Sequence, residues 1–192
     1  MKKISIFASG SGSNAENIIQ YFANKPEFCI KKVFCNVPDA YVLERVKKYQ
    51  IPTVVFNRAE MKNPEFVLRQ LQEEETDLIV LAGFLWLMPP CITAAFPNRI
   101  INIHPALLPA YGGKGMYGHH VHEAVIAAGE KESGITIHYV NDHYDEGAPI
   151  FQAKCPVFPD DTPDKLASRI HELEYRHFPE VIEKVLLGLP EA

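Results

Sequence analysis

A chain of 192 residues with a formal net charge of −5, 47% hydrophobic and 22% charged, is sized for one domain around a single core. Its balance excludes disordered, collagenous and repeat classes, and its acidic excess excludes a protein that coats nucleic acid, which needs clustered Lys and Arg. No run of 18 apolar residues occurs, so no membrane span is expected. The four cysteines form no C-x-x-C pair, which predicts buried free thiols in a reducing, cytoplasmic compartment.

The two lysines and short apolar run of Met1–Ser9 resemble the start of a signal peptide, but the run stops at Ser9-Gly10, too early for one. Lys3–Ser9 is therefore read as the first strand. A helix follows over Asn14–Ala23, with Ile18, Ile19 and Phe22 on one face. Phe28–Cys35 is a strand, Asp39–Tyr49 a helix, Pro52–Phe56 a strand and Pro64–Glu75 a helix. The continuous apolar run Asp77–Ala82 predicts a strand covered on both faces. Strands separated by helices of this length imply βαβ units and a parallel sheet.

The second half changes character. Arg99–His104 reads as a strand, Pro105–Gly118 as an irregular loop and His119–Ala128 as a helix. Gly134–Val140 and Pro149–Val157 are strands separated by the polar turn Asn141–Ala148, which favours an antiparallel pair. Asp161–Gly188 is helical, with Thr162 as N-cap and Pro163 in the first turn. Pro179 is expected to break or kink it. The fold expected is α/β: a single Rossmann-like three-layer domain over 1–192, its mixed sheet mostly parallel with an antiparallel addition in the C-terminal half.

Gly10-Ser11-Gly12-Ser13-Asn14 joins the first strand to the first helix. Glycines admit a sharp turn, and free amides at a helix N-terminus attract an anion. The same residues also read as a tight turn with Ser13 or Asn14 as a plain N-cap. With Ala15 the string fits a degenerate G-x-G-x-x-A dinucleotide pattern. The acidic residue that such a site wants after the second strand is replaced by Cys35-Asn36-Val37. A terminal phosphate fits the loop's Ser and Asn side chains better.

Asn102 and His104 are two apart at the end of an apolar strand and project together, where open α/β sheets place ligands. An amide N–H and a protonated imidazole aimed at one point would stabilise the oxyanion of an acyl transfer. The imidazole then needs a carboxylate to orient it and favour its charge. Asp145, in the turn Asn141–Gly147, is the candidate, and its side chain serves equally to form that turn. His119, His120 and His122 suggest a metal, but no Glu or Cys at ligand spacing completes a site, so no metal is expected.

Gly10–Asn14, Leu81-Ala82-Gly83-Phe84, Asn102-Ile103-His104-Pro105-Ala106-Leu107-Leu108-Pro109 and Ser133–Gly147 together resemble the folate-dependent formyltransferase superfamily. The resemblance covers essentially the whole chain. It is strongest to the branch that formylates glycinamide ribonucleotide in purine synthesis, because the length leaves no place for the tRNA-binding or regulatory domains of other members. It implies transfer of the formyl group of 10-formyltetrahydrofolate to the glycyl amine of 5′-phosphoribosylglycinamide, with a formyltetrahydrofolate deformylase-like hydrolase or a plain Rossmann nucleotide-binding protein as alternatives. Both substrates are small molecules, no nucleic acid or membrane partner is implied, and a homodimer is one possible assembly.

Residue by residue, the resemblance implies that Asn102 binds the formyl group, His104 is the catalytic imidazole and Asp145 the carboxylate that raises its pKa. Gly12, Ser13 and Asn14 match the 5′-phosphate site, and Glu174 the carboxylate that binds the ribose hydroxyls, though Glu174 also reads as a solvated helix face. Leu85, Trp86, Leu87 and Met88 match the segment whose backbone reads the pterin, with Asn102 beside it and Asn141, Asp142, His143, Tyr144 and Asp145 as the opposite wall. Residues 1–100 thus become the nucleotide- and phosphate-binding half, and 101–192 the catalytic and folate-binding half. Trp86 stands where the family usually has a basic residue, and a family arginine for the folate tail falls near Asn63. The glycine-rich loop Ala110–Gly118 reads as a mobile lid in which Lys114 is placed to reach a phosphate.

Overall fold

Alternating apolar residues along each strand build two cores, one on either face of a seven-stranded sheet in the order β3-β2-β1-β4-β5-β6-β7. The computed structural model describes residues 1–190; Glu191 and Ala192, assigned to the domain above, lie outside the described residues. Strands β1 (Lys2–Ala8), β2 (Phe28–Cys35), β3 (Thr53–Val55), β4 (Leu78–Leu81) and β5 (Ile100–His104) are mutually parallel. The strands β6 (Glu132–Tyr139) and β7 (Pro149–Pro156) are added antiparallel. This is the mixed sheet expected. Ile4, Ile6, Leu78, Val80, Ile101 and Ile103 face a core shared with α1 (Ser13–Phe22), α2 (Tyr41–Lys47), α6 (His119–Ala127) and α7 (Pro163–Gly188). Phe7, Phe34, Ile79, Leu81 and Ile100 face the other, where Phe7 stacks on Phe34 with ring centroids 4.7 Å apart. β4 is buried throughout, as its uninterrupted apolar run requires.

Two short helices escape the periodicity. α3 (Arg58–Lys62) is nucleated by a capping box: the Asn57 side chain accepts from the amides of Ala59 and Glu60 at 2.9 and 3.0 Å, and Glu60 accepts from the Asn57 amide at 2.8 Å. The segment read as one helix from Pro64 is a π-helical turn, Pro64–Leu68, running into α4 (Arg69–Glu73). A further helix, α5 (Pro90–Ala95), begins on a proline at its first turn. The four cysteines are free as expected, but only Cys35 and Cys155 are buried; Cys29 and Cys91 are half-buried.

Pro179 does not break α7, which runs from Pro163 to Gly188 behind the Thr162 cap. A helical proline leaves the carbonyl four residues earlier without its donor. Here that carbonyl belongs to Tyr175, and it accepts from Asn17 Nδ2 of α1 at 2.9 Å. The break expected of proline is therefore averted by a neighbouring helix. Replacing Asn17 with leucine should lower stability by about 1 kcal/mol, read as a drop in denaturation midpoint. An unchanged midpoint would mean that solvent serves Tyr175 equally well.

Candidate active site

The chain fills β1, β2 and β3 on one side and returns to β4 on the other side of β1, so the carboxyl ends of β1 and β4 flank a topological switch point. A cleft of about 750 Å³ opens there, lined by Gly10–Asn14 after β1, Gly83–Met88 after β4, and Asn102 and His104 of β5.

At one end lies the loop after β1. Gly12, at φ +75°, is the N-cap of α1, and no side chain caps the helix. Ser13 and Asn14 are therefore not the plain caps of the alternative reading. A Cβ on Gly12 would sit 2.4, 2.6 and 2.8 Å from Val42 Cγ2, Cβ and Cα, so α2 packs against a loop that only glycine can form. Arg45 secures the loop by donating to the Ser11 carbonyl at 2.8 Å while paired with Glu16. Asn14 Nδ2 donates to Glu174 Oε2 at 2.9 Å, and His171 Nδ1 lies 2.9 Å from the same oxygen. Glu174 is 5% exposed, which removes the solvated-face reading. The Asn14 Oδ1 atom is buried without a partner. Asn36 instead accepts from Ser9 Oγ at 2.6 Å, and Ser9 Oγ accepts from the Leu85 amide at 3.0 Å. The place of a dinucleotide-site acid is thus a buried neutral network that pins the β4 loop.

At the centre, Asn102, His104 and Asp145 converge. His104 is 3% exposed. Its Nε2 stands 2.7 Å from the Tyr111 carbonyl and its Nδ1 3.5 Å from Asp145 Oδ2. Asp145 adopts φ +57° at the turn and accepts from the Gly113 amide at 3.0 Å. The loop after β5 is itself moored by Thr136, whose hydroxyl donates to the Ala106 carbonyl at 2.7 Å and accepts from the Leu108 amide at 3.0 Å. The formyl transferase family model matches residues 2–182. The chain belongs to that family.

Among relatives of this formyltransferase, it is 40% identical over 189 residues to phosphoribosylglycinamide formyltransferase of Haemophilus influenzae, covering 95% of this chain and 86% of that one. It is 38% identical over 187 residues to the chloroplastic phosphoribosylglycinamide formyltransferase of Arabidopsis thaliana. That match covers 94% of this chain but only 64% of the plant protein, just under two thirds. The crystal structure of the Streptococcus pneumoniae TIGR4 phosphoribosylglycinamide formyltransferase superposes with a TM-score of 0.85 at 39% identity, covering 96% of this chain and 99% of that one.

Two positions at the far end of the formyltransferase cleft depart from expectation. Arg58 of α3 lies over the Trp86 ring, 4.4 Å from its centroid, and both line the cleft. Asn63 instead starts the π-helical turn by accepting from the Glu65 amide at 3.0 Å. Arg58, five residues before Asn63 on a helix the periodicity did not predict, places a cation at this end of the cleft. Leu85 and Leu87 are exposed, Met88 is buried, and the Leu87 amide donates to the Tyr144 hydroxyl at 3.2 Å. His143, Tyr144 and Asp145 line the cleft with them. Asn141 and Asp142 do not: Asn141 accepts from the His143 amide at 2.9 Å, and Asp142 accepts from Thr93 Oγ1 at 2.5 Å. Both are spent on shaping and anchoring the turn.

The loop expected to be a lid lines the cleft from Gly113 to Gly118, with Lys114 exposed on the rim. Three of its glycines, at 113, 115 and 118, have positive φ. Behind it the three histidines diverge. His119 and His120 are exposed beside Glu123, whereas His122 is 3% exposed. Among the described residues no group of three or more His, Cys, Asp or Glu is placed to hold a metal ion, and no helix is long and apolar enough to cross a membrane.

Burial governs the titration of the site. It pushes the His104 imidazole below its ordinary value, and the opposing pull of Asp145 and the Tyr111 carbonyl does not fully restore it. Asp145 thus pulls the His104 pKa upward as expected, but burial outweighs it and the net direction is downward. Burial would raise the Asp145 carboxyl, but His138 and His104 in their protonated forms, together with the Gly113 amide, outweigh it and hold the group low. His122 is driven from 6.5 to about 4, first by burial and then by His171. A group depressed in the folded state stabilises the fold above its unfolded pKa and loses that contribution as pH falls through its folded pKa. His122 should therefore cost on the order of 3 kcal/mol of stability between pH 6.5 and about 4. The melting temperature of His122→Gln should fall less over this window than that of the wild type, and parallel curves would contradict the assignment.

The sequence reading missed His138. It lines the cleft, and it faces Asn102 in the β5–β6 register. Its signal was an ionisable residue in an otherwise apolar strand, but only the strand pairing shows what it faces.

Proposed function

We propose that the enzyme transfers the formyl group of 10-formyltetrahydrofolate to the glycyl amine of 5′-phosphoribosylglycinamide in purine biosynthesis. The observation that carries this reading is the convergence of Asn102, His104 and Asp145 in a cleft whose other end is an uncapped helix N-terminus. An acyl-transfer centre and an anion site 5′ of the reacting amine are what these two substrates require.

The amides of Gly12–Asn14 hold the phosphate, and Glu174, steadied by Asn14 and His171, takes the ribose hydroxyls. Backbone groups of Leu85–Met88 and the Tyr144 turn grip the pterin, and Arg58 supplies the cation for the tail carboxylates. The co-substrate supplies a formyl carbon bonded to N10, which departs as a neutral amine once protonated. Asn102 Nδ2 donates to the formyl oxygen as it gains negative charge. The Tyr111 carbonyl only accepts, so Nε2 of His104 carries a hydrogen. The neutral ring that burial favours then has its lone pair on Nδ1. That nitrogen takes the proton shed by the attacking amine and returns it to N10, so the carbon–N10 bond breaks without net proton loss. Asp145, kept ionised, offsets the imidazolium charge in between. The positive charge on His104 therefore arrives with the reaction. No covalent enzyme intermediate is needed.

The test is absorbance of tetrahydrofolate formation with and without the ribonucleotide. Turnover that depends on the ribonucleotide supports transfer. Equal turnover without it, with formate released, identifies a hydrolase and overturns the proposal.

A further inference from the structure

Asn102 and Asp145 share a buried neighbour that formyl transfer as described above does not use. His138 is 2% exposed, directly across the β5–β6 ladder from Asn102. Its Nδ1 lies 2.8 Å from the Tyr139 carbonyl, which only accepts, so Nδ1 carries the ring hydrogen. In the neutral ring Nε2 is then a bare lone pair. It stands 3.2 Å from Asn102 Nδ2 and 3.6 Å from Asp145 Oδ1.

We infer that His138 is a positioning residue, which sets the orientation of the Asn102 amide for formyl transfer. A carboxamide has two ends of nearly equal shape, and packing alone barely distinguishes them. The His138 lone pair does. It accepts one hydrogen of Nδ2 and would repel Oδ1, so the amide is locked with its nitrogen toward this side and its second hydrogen free for the formyl oxygen. An inverted amide would present an oxygen to a developing oxyanion, turning a stabilising group into a repulsive one. The Tyr139 carbonyl is the anchor of this arrangement, since it determines which ring nitrogen keeps the lone pair.

The inference rests on the proposed formyl transfer, so the wild-type enzyme is assayed first with both substrates; no ribonucleotide-dependent turnover there overturns that reading, whatever the variants do. His138→Met keeps the volume and removes the acceptor, whereas His138→Gln restores an acceptor at the position of Nε2. Losing one oxyanion donor costs about 10²–10³ in kcat, and misorienting one costs less. His138→Met should lower kcat about 10- to 100-fold with each KM within about twofold, and His138→Gln should recover to within about threefold of the wild type. The deciding measurement is a double-mutant cycle. In an Asn102→Ala background, His138→Met should cost less than about twofold further, because there is no amide left to orient. An equal loss in both backgrounds, or no rescue by His138→Gln, would mean a structural role and overturn the inference. A loss that disappears only in an Asp145→Asn background would assign His138 to the carboxylate instead and also overturn it.

Discussion

Replacing His104 with alanine is expected to lower kcat about 10³-fold, with KM for both substrates changed only a few-fold. The ring is held through Nε2 by the Tyr111 carbonyl at 2.7 Å, its Nδ1 lies 3.5 Å from Asp145, and the proton path described above passes through it. No neighbour can substitute. The Asn102 amide carries no mobile proton, and His138 has its lone pair engaged by that amide. The residual rate should come from Asn102 and from substrate alignment. Steady-state kinetics with the ribonucleotide as acceptor make the check, and near-normal turnover would remove His104 from the chemistry.

Gly12→Ala should damage both the fold and the phosphate end of the cleft. Its backbone is at φ +75°, and the new Cβ would meet the Val42 side chain at 2.4 Å and its backbone Cα at 2.8 Å. Strain of about 1–3 kcal/mol is expected from the left-handed conformation alone. The contact with Val42 backbone cannot be relieved by rotating a side chain, so α2 must shift or the loop must open. Stability should fall by about 3 kcal/mol or more, and any folded enzyme should bind the ribonucleotide at least tenfold more weakly while its folate affinity is kept. Chemical denaturation and separate KM measurements test the two halves of this expectation. Equal weakening of both substrates would show that the loop serves the whole cleft rather than its phosphate end.

The parts legible in the sequence were those fixed by local periodicity or by close spacing. β4 announced its double burial through Leu78–Leu81, and the i, i+2 spacing of Asn102 and His104 put both at the same strand end. Gly12 was legible as a turn, but its need for glycine arises from Val42, thirty residues away. What stayed hidden depends on pairing across the chain. His138 acquires its partners through the register of an antiparallel ladder. Arg58 reaches the cleft because a capping box at Asn57 starts a helix too short to show a period. Pro179 is tolerated because Asn17 serves the freed Tyr175 carbonyl, a contact no local rule foresees. Asn141 and Asp142 stay out of the cleft lining for the opposite reason: neighbours in sequence to Asp145, they bond the His143 amide and Thr93 through their side chains instead.

The central claim is that one cleft holds the phosphate at the start of α1 and the formyl group between Asn102 and His104. A crystal structure of the enzyme with 5′-phosphoribosylglycinamide and a non-transferable analogue of 10-formyltetrahydrofolate tests it directly. The phosphate is predicted on the amides of Gly12, Ser13 and Asn14, with the formyl-position oxygen in hydrogen-bond range of Asn102 Nδ2. A phosphate bound elsewhere, or a formyl position directed away from Asn102 and His104, would contradict the account.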